Sequence, residues 1–435
     1  MGENFPSWIM TNVNGSGASF LLNNLVELKL RAWHNCSYIP SLGLLPSLKN
    51  LQISEFKKVR SLGHKFYTTR SSTQGRVESI KLFPVLRKLT LKDMESLGEW
   101  VEVDNNAVTG SKVEIVFPCL EELHVRGCPE LKTWSMGGFS SHHRLSKLEI
   151  DQCPELIVIP SINGLSSLKS LSLERCEALT CLPSGVGSCF SLENLSILFC
   201  NKLTSITSID ELLSLKTLKI VACVGLTCLP SRLGSCNSLE SLDISYCQNL
   251  TSIPKDVGRL ESLTCLTISY CSGLRSIPDE CLGCLTSLKE LDMGPFCSEL
   301  EEFPGCSSIH HLQASLEILS LSGWDKIKYL PHQLQHLTSM KKLILREFNG
   351  LEALPEWLGN LSSLQRLEIW SCSNLAHLPS VQAMRSLSNL QSLWISGCPR
   401  LEERCENESS PEWSKISHIP KTELSSTPFF GNPTR

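Results

Sequence analysis

Cysteine is the residue type best suited to chemistry in this chain, and it occurs 21 times in 435 residues. Cys281 and Cys284 form a CxxC pair, a spacing that in other proteins binds zinc or supports dithiol exchange. No second CxxC pair and no histidine partner accompanies it. We therefore interpret these two cysteines as part of the outer connection of a structural repeat.

Histidine and glycine give no stronger chemical signal. The pairs His142-His143 and His310-His311 have no matching carboxylate or cysteine cluster, so they are weak metal-binding candidates. The glycine-containing segment 15–17 lacks the lysine of the Walker A motif GxxxxGK[ST], which occurs nowhere in the chain. No nucleophile, base and orienting group can be assembled from the spacing, so we expect a non-catalytic protein without cofactor or metal.

A repeated phrase explains many of the cysteines. The pattern LxxLxLxxC, followed by LxxLP, appears as LEELHVRGC from Leu120, LKSLSLERC from Leu168 and LQRLEIWSC from Leu364. Cysteines in register one repeat apart are expected to form a buried column of thiols instead of bonded pairs. The cysteines at or just beyond this position are Cys36, Cys128, Cys153, Cys176, Cys200, Cys223, Cys247, Cys271, Cys372 and Cys398.

The phrase recurs with a period that is typical of leucine-rich repeats. From Leu120 onward its copies start 23 to 28 residues apart, and earlier copies start at Leu25, Leu48 and Leu86, which gives about fifteen turns. In LKSLSLERC the alternation of leucine with polar residues predicts a short strand with one buried face. Successive strands then pair in parallel, because no single turn can bury its apolar side alone.

The predicted fold is an α/β repeat solenoid, a leucine-rich-repeat horseshoe. We expect parallel strands on its concave face and irregular or short helical segments on its convex face. The solenoid is predicted to span residues 1–405, with exposed insertions near 63–80 and 101–115. A C-terminal cap is predicted over residues 406–424. The Ser-, Thr- and Pro-rich segment 425–435 is predicted to be a disordered tail.

Charge and hydropathy narrow the choice of partner. The chain has 40 basic and 44 acidic residues, a net charge of −4, and no long run of either sign. This balance argues against nucleic acid as a partner. No apolar run is long enough to span a membrane, and the N-terminus does not resemble a signal peptide. Together with the odd number of cysteines, these features favour a reducing, cytoplasmic compartment, with the nucleus as a second location.

Several phrases together resemble one family. They are the opening FPSWI, LVELKLRAWHNCSYIPSLGLLPSLKNLQI, FPVLRKLTLKDMESLGEW, LPEWLGNLSSLQRLEIWSC and the closing CPRLEERCENESSPEWSKISHIP. They resemble the leucine-rich-repeat region of plant coiled-coil nucleotide-binding leucine-rich-repeat (NB-LRR) disease resistance proteins. The resemblance implies recognition of a pathogen effector or a guarded host protein, and restraint of a nucleotide-binding (NB-ARC) switch domain. Without a Walker A motif, the NB-ARC domain itself is missing from this sequence.

The repeat phase places an unusual set of side chains on the predicted concave face. Most copies offer polar residues there, but two stretches offer apolar and aromatic ones, which mark interaction sites when exposed. These candidate partner-binding residues are Leu198, Phe199, Val221, Tyr246, Tyr270, Ile344, Trp370 and Trp394. For Phe199, Tyr246 and Tyr270, packing of the rings into a ladder under the neighbouring turn is the alternative to binding.

Two further readings of function stay open on the sequence alone. An extracellular ligand-binding ectodomain is permitted by the glycosylation sequons at Asn14, Asn35, Asn194, Asn249, Asn360 and Asn407. Secretion with attached glycan would favour that reading. A ubiquitin-ligase substrate adaptor is the other alternative, although no F-box-like helical segment precedes the repeats.

Overall fold

The fold was analysed in a computed structural model, which describes Phe5 and residues 22–67, 80–101, 113–135, 142–206 and 209–425. The chain divides into two compact units. The first comprises Met1–Thr217 and Cys223–Gly225, and the second comprises Leu218–Ala222 and Leu226–Arg435. Each unit is built from the same repeated element.

In the first unit, seven strands form a parallel sheet in the order β1-β2-β5-β8-β10-β11-β12, and five shorter strands lie outside it. The strands are β1 Glu27–Arg31, β2 Asn50–Ser54, β3 Ser61–Leu62, β4 Ile80–Leu82, β5 Lys88–Lys92, β6 Glu99–Val101, β7 Val113–Val116, β8 Glu122–Arg126, β9 Thr133–Ser135, β10 Lys147–Asp151, β11 Ser170–Glu174 and β12 Asn194–Leu198. One short helix, α1, spans His64–Tyr67.

In the second unit, the strands of the parallel sheet follow one another in sequence order from β13 to β21. They are β13 Thr217–Val221, whose first residue belongs to the first unit, β14 Ser241–Ser245, β15 Cys265–Ser269, β16 Glu290–Gly294, β17 Ile318–Ser322, β18 Lys342–Arg346, β19 Arg366–Trp370, β20 Ser392–Ser396 and β21 Lys421–Ser425. Three helices lie near the end of this unit: α2 Val381–Ser386, α3 Pro399–Glu406 and α4 Pro411–Ile416.

The leucine phrase predicts these strands residue by residue. In each of the fifteen copies, a five-residue strand begins two residues after the first position of the phrase, which is leucine in fourteen copies and Met340 in the other. The second and fourth residues of the strand point into the core, as Leu171 and Leu173 do with no exposed surface. The leucine-rich-repeat solenoid with parallel strands is thereby confirmed. A sixteenth strand, β21, carries no leucine phrase and pairs with β20.

The residue that follows each strand has a backbone conformation that the sequence analysis did not anticipate. In thirteen of the fifteen repeats this residue has a positive φ, for example 54° at Gln152, 50° at Arg175 and 59° at Tyr246. A left-handed conformation costs a residue with a Cβ about 1–2 kcal/mol. The turn repays part of this cost, because the N–H of Tyr246 donates to the carbonyl of Ser269 at 2.9 Å and so extends the ladder.

The next residue in most repeats is the cysteine of the phrase, and it is buried. The Cys271 Sγ donates to the carbonyl of Ile244 in the preceding repeat at 3.5 Å, and the Cys247 Sγ donates to Ile220 at 3.6 Å. All 21 cysteines are thiols instead of disulfide partners. The column of buried thiols predicted from the repeat register is therefore present in each unit.

After each strand the chain reaches the next strand through short turns, several of which contain a 3₁₀ helix. Pro254, Pro331 and Pro355 each lie immediately before such a helix. These 3₁₀ helices are Val186–Ser188, Leu233–Ser235, Lys255–Arg259, Leu282–Cys284, Ile309–Ala314, His332–His336 and Glu356–Asn360. The predicted helical segments on the side opposite the strands are therefore short 3₁₀ turns.

The regions of the predicted insertions are described only in part. Residues 68–79 and 102–112 lie outside the described residues. The flanking segments add small parallel sheets to the first unit, β3-β6-β9 and β4-β7. Trp100 of β6 stacks on Trp134 of β9 at 4.9 Å between ring centroids, and its indole N–H donates to the Tyr67 hydroxyl at 2.8 Å. Both tryptophans are buried packing residues.

A buried carboxylate links helix α4 to the preceding repeat by hydrogen bonds. Glu412, 3 % exposed, accepts hydrogen bonds from the Leu378 N–H at 2.9 Å and from the Lys415 ammonium at 2.8 Å. Lys415 also donates to the Leu378 carbonyl at 2.9 Å. Strand β21 then follows, and residues 426–435, which hold most of the predicted tail, lie outside the described residues.

Candidate functional site

The candidate site is the strand face, defined here as the outward side chains of the repeat strands. Positions 1, 3 and 5 of each five-residue strand point outward, and the left-handed residue that follows the strand is position 6. Neighbouring strands pair in register, so Asp243, Thr267 and Asp292 line up at position 3 of three successive strands. The face is therefore a set of parallel columns, one for each position.

In the first unit the strand face carries a network of ion pairs around His124. One ring nitrogen of His124 lies 3.0 Å from Glu149 Oε2, and the other lies 3.1 Å from Glu122 Oε2. Lys88 pairs with Glu122 at 2.7 Å, and its hydrogen bond, followed by that of His124, lowers the pKa of Glu122. Burial opposes ionisation of Glu149, but hydrogen bonds from His124 and Arg126 hold its pKa below the ordinary value.

Basic residues of the first repeats find acidic partners within the same face. Lys29 pairs with Glu27 at 2.7 Å, and Arg31 pairs with Glu55 at 2.7 Å. Charges that are already paired contribute less to an electrostatic attraction for an acidic partner. This part of the face is therefore a charge-balanced surface and is not a basic patch.

The structure places Leu198 and Phe199 at positions 5 and 6 of the same repeat. Leu198 is half-buried, whereas Phe199 is 41 % exposed. The guanidinium carbon of Arg175, at position 6 of the preceding repeat, lies 5.3 Å from the centroid of the Phe199 ring. Such a cation–π contact covers one face of the ring and leaves the rest accessible.

In the second unit, Tyr246 and Tyr270 form a stacked pair at position 6 of adjacent repeats. Their ring centroids lie 4.7 Å apart with an interplanar angle of 2°. Tyr246 is 47 % exposed, and Tyr270 is half-buried. The ladder expected as an alternative to binding thus exists for this pair, yet it leaves one of its rings largely open to solvent. Val221, at position 5 of the preceding strand, is half-buried.

Ile344 departs from our expectation of an exposed apolar residue, because only 5 % of it is accessible. It lies at position 3, flanked on its own strand by the long side chains of Lys342 and Arg346. Lys342 leans across one neighbouring strand to pair with Glu368 at 2.9 Å, and Arg346 leans across the other to Ser320. These flanking side chains shield Ile344, so that it adds little to the accessible surface.

Trp370 and Trp394 are brought together, but both are half-buried among charged groups. Their ring centroids lie 6.3 Å apart. The Trp370 indole donates to Glu368 at 3.1 Å. Trp394 lies between two cations, with the Arg366 guanidinium carbon 4.4 Å and the Lys421 ammonium 5.3 Å from its ring centroid. Much of the cation–π capacity of Trp394 is therefore used within the chain.

Two carboxylates at position 3, Asp243 of β14 and Asp292 of β16, were not among the residues predicted from the sequence. Burial raises the pKa of Asp243, although the Ser245 hydroxyl donates to it, and burial likewise raises the pKa of Asp292. Arg346 lies 3.5 Å from Asp292 Oδ2. The available signal was the recurrence of aspartate at position 3 in LESLDISYC and LKELDMGP, where leucine neighbours predict low hydration.

The cysteines and histidines do not assemble a metal site within the described residues, where no group of three or more potential ligands occurs. Cys281 is buried and Cys284 is exposed, so the two thiols of the CxxC pair do not share one environment. His310 and His311 pack ring on ring at 4.2 Å. Across the part of the chain that the structure describes, no helix has the length and hydropathy needed to cross a bilayer.

Comparison with known proteins shows what these repeats are similar to. Residues 251–399 match a family model described as plant disease resistance protein RPS2-like, leucine-rich repeats. Residues 1–56 match a model of R13L1/DRL21 leucine-rich repeats. The two matches lie toward opposite ends of the chain and together cover less than half of it.

Curated relatives agree with the models. Disease resistance RPP13-like protein 1 of Arabidopsis thaliana is 30 % identical over 42 % of this chain and 20 % of its own length. Disease resistance protein RGA2 of Solanum bulbocastanum is 30 % identical over 43 % of this chain and 17 % of its own length. The matched part therefore spans a fifth or less of these relatives.

A solved structure shows the fold independently. A leucine-rich-repeat protein of Leptospira interrogans aligns with a TM-score of 0.57 over 97 % of this chain and 98 % of its own, at 22 % identity. At that identity the likeness concerns architecture alone. Together, the repeat geometry and the solved structure show a leucine-rich-repeat solenoid, and its matched segments are similar to the leucine-rich repeats of plant disease resistance proteins.

Proposed function

We propose that the chain is a non-catalytic protein-recognition module of plant innate immunity. It binds a pathogen effector or a guarded host protein through the strand face. In the context of a full receptor, the same solenoid also restrains the nucleotide-binding NB-ARC switch domain. The similarity to plant disease resistance proteins supports the immune context.

Exposed aromatic side chains on a sheet of parallel strands are the observation that carries this proposal. Phe199 is 41 % exposed and Tyr246 is 47 % exposed, although both lie within regular repeats where polar residues are the norm. Aromatic residues contribute large contact areas to protein interfaces at low conformational cost. The face offers many adjacent side chains and no assembled catalytic group, which suits recognition better than turnover.

The proposal places the protein in the cytoplasm, with the nucleus as a second location. The buried thiol column supports a reducing compartment, because thiols packed one repeat apart serve as packing residues there. A fluorescent fusion imaged in leaf cells tests the location. Signal in the apoplast together with attached glycan would instead favour the ectodomain alternative.

The decisive experiment compares captured proteins between two folded variants. The tagged chain is expressed in leaf tissue, cross-linked and purified, and the captured proteins are identified by mass spectrometry and confirmed by reciprocal precipitation. The test variant replaces Phe199, Tyr246 and Trp394 with serine, and so removes both exposed rings on which the proposal rests. The matched control is Tyr329→Ser, which removes an 83 % exposed tyrosine outside the strand face. Circular dichroism first establishes that both variants fold.

The expected result is a host protein, effector or nucleotide-binding receptor that is captured by the unmodified chain and the control but lost from the triple variant. Identical captures from all three would contradict recognition through the strand face. Conversion of a substrate by the purified chain would contradict the non-catalytic assignment.

A further inference from the structure

At position 6 of the strand face, an aromatic ring is covered by a side chain of the preceding repeat in one place and is left uncovered in another. In the first unit, Arg175 lies at position 6 one repeat before Phe199, and its guanidinium covers the phenyl ring at 5.3 Å. In the second unit, Ala222 occupies the corresponding place one repeat before Tyr246. A methyl group is too small to cover the phenol ring. The place that a guanidinium fills beside Phe199 is therefore vacant beside Tyr246.

Stacking against Tyr270, at position 6 of the following repeat, fixes the orientation of the Tyr246 ring. Tyr270 stacks on it with parallel planes 4.7 Å apart between centroids, and Tyr270 is in turn anchored by a 3.1 Å hydrogen bond to Glu347. A ring whose orientation is fixed before binding loses little conformational entropy when a cation stacks on it. Tyr246 nevertheless keeps 47 % of its surface exposed.

Carboxylates without a full set of cations line the same face. Asp243 accepts a hydrogen bond from the Ser245 hydroxyl, and among the described residues no cation lies within ion-pair distance of it, although the more distant charge of Lys219 acts on it. The Oδ1 atom of Asp292 is shielded from water and has no hydrogen-bond donor among the described residues. Its other oxygen faces Arg346 at 3.5 Å.

The local balance of charge is negative. From β13 to β18 the face carries the four carboxylates Asp243, Glu290, Asp292 and Glu347 against the three cations Lys219, Lys342 and Arg346, and Lys342 is already paired with Glu368 of β19. Partly desolvated negative charge is stabilised by an approaching cation more strongly than fully hydrated charge would be. The negative charge of the face and the exposed Tyr246 ring therefore both favour a cationic ligand.

We propose that the strand face around Tyr246 binds an arginine side chain of a partner protein, whose guanidinium stacks on the Tyr246 ring and pairs with Asp243. This inference rests on the proposed function as a protein-recognition surface and names the chemistry of the partner. Arginine fits better than lysine, because a planar guanidinium stacks on a ring and donates to a carboxylate at the same time. The chain uses this contact internally where Arg366 lies 4.4 Å from the Trp394 centroid.

The test selects ligands from a phage library of random dodecapeptides on the immobilised chain. Arginine should be enriched among the selected peptides relative to the unselected library. The strongest peptide is then synthesised with a fluorophore, and its binding is measured by fluorescence anisotropy. Binding should weaken as salt concentration rises, as expected for a contact between charged groups at a protein surface.

Three variants probe the site, and two control for general effects. Tyr246→Ala and Asp243→Asn should each weaken peptide binding about threefold to tenfold. Ala222→Arg should abolish it, because the new side chain fills the vacant place from within, and Arg175 shows that arginine is accepted at this position with a φ of 50°. Tyr329→Ala and Asp325→Asn remove an exposed tyrosine and an exposed aspartate elsewhere in the second unit and should leave binding unchanged.

Several outcomes would overturn the inference. They are a failure to select any peptide, selected peptides without arginine enrichment, or binding that survives Ala222→Arg. Peptides that lack arginine but are lost on other strand-face substitutions would overturn the inference while supporting the proposed function. Peptides that are insensitive to every strand-face substitution would count against both.

Discussion

The Tyr270 hydroxyl donates a 3.1 Å hydrogen bond to Glu347 across 77 residues of sequence. At position 6 the two intervening repeats carry Pro295 and Gly323. The bond ties position 6 of one repeat to position 6 of another three repeats away.

This contact predicts a distinct response to alkaline pH. Burial, followed by the charge of Glu347, raises the pKa of Tyr270 from 10.0 to about 12. The folded state then keeps a proton that the unfolded state releases, so this stabilisation is complete below pH 10 and is lost as pH rises through about 12. Urea unfolding at stepped pH should show a steeper alkaline loss for the unmodified chain than for Tyr270→Phe. Tyr329→Phe is the control, and parallel curves for Tyr270→Phe would contradict the prediction.

Core substitutions should be more costly in a fully buried strand than in a half-buried one. Leu242 has no exposed surface, whereas Leu28, at the same strand position of the first repeat, is half-buried. Leu242→Asp should cost about 4 kcal/mol or more, since it loses the packing of the leucine and buries a charge. Leu28→Asp should cost clearly less. Hydrogen exchange should show loss of protection in repeats next to Leu242, and equal damage from both variants would rule out nearest-neighbour stabilisation.

The thiol column should be chemically inert. Burial raises the pKa of the Cys271 thiol to about 12, so the reactive thiolate is scarce at neutral pH. Cys181, Cys228 and Cys284 are exposed instead. Treatment of the folded chain with iodoacetamide at neutral pH, followed by peptide mass spectrometry, should label the three exposed cysteines first. Labelling of Cys271 should require denaturant, and an equal labelling rate in the folded chain would refute inertness.

The left-handed backbone at position 6 predicts that two substitutions there change the stability of the fold in opposite directions. Gly127 has a φ of 64°, and a Cβ added there would lie 2.5 Å from Asp93 Oδ1. Gly127→Ala should therefore destabilise the fold by about 1–2 kcal/mol through backbone strain and crowding. Gln152, exposed at the same position, has a φ of 54°. Gln152→Gly should be neutral or stabilising by up to about 1 kcal/mol, because relief of strain exceeds the greater freedom of glycine in the unfolded chain. Thermal unfolding measures the stability of both variants relative to the unmodified chain. Equal effects of the two substitutions would contradict a role for the left-handed backbone.

The carboxylate of Glu412 predicts an acid-sensitive attachment of helix α4. Burial opposes its ionisation, but hydrogen bonds from Lys415, Leu378 and His377 hold its pKa below the ordinary 4.5. Stabilisation by this group is present above pH 4.5 and is lost as pH falls through the lowered value. Glu412→Gln should cost about 2 kcal/mol near neutral pH, and the difference from the unmodified chain should shrink in acid. Limited proteolysis across a pH series measures how firmly helix α4 is attached, and Glu403→Gln, at an exposed position, is the control. A difference between Glu412→Gln and the unmodified chain that does not change with pH would exclude this explanation.

The sequence predicted the strands far better than the environment of individual side chains. The spacing of leucines locates the start of all fifteen repeat strands, because burial of positions 2 and 4 follows directly from the alternation. It also places Tyr246 on the strand face. It does not show that Ile344 is shielded, since this depends on where the long side chains of Lys342 and Arg346 lean.

Contacts that cross repeats were equally inaccessible to pattern analysis. The bond between Tyr270 and Glu347 joins residues 77 apart in sequence and depends on how the repeats stack in the sheet. The left-handed residue could have been inferred from the glycines of RGC and SGC, Gly127 and Gly397, which occupy position 6. The raised pKa values of Asp243 and Asp292 require burial, which a one-dimensional pattern does not give.

The alternation along each strand assigns packing of the repeat and contact with a ligand to different residues of one short segment. In Ser241–Ser245, Leu242 and Ile244 determine how the repeat packs, while Ser241 and Asp243 point to the opposite side and are partly accessible. A combinatorial library could therefore randomise the outward residues of neighbouring strands and leave the leucines and thiols untouched. Such a library would change the ligand without redesigning the scaffold, provided that residues tolerant of a left-handed backbone are kept after each strand.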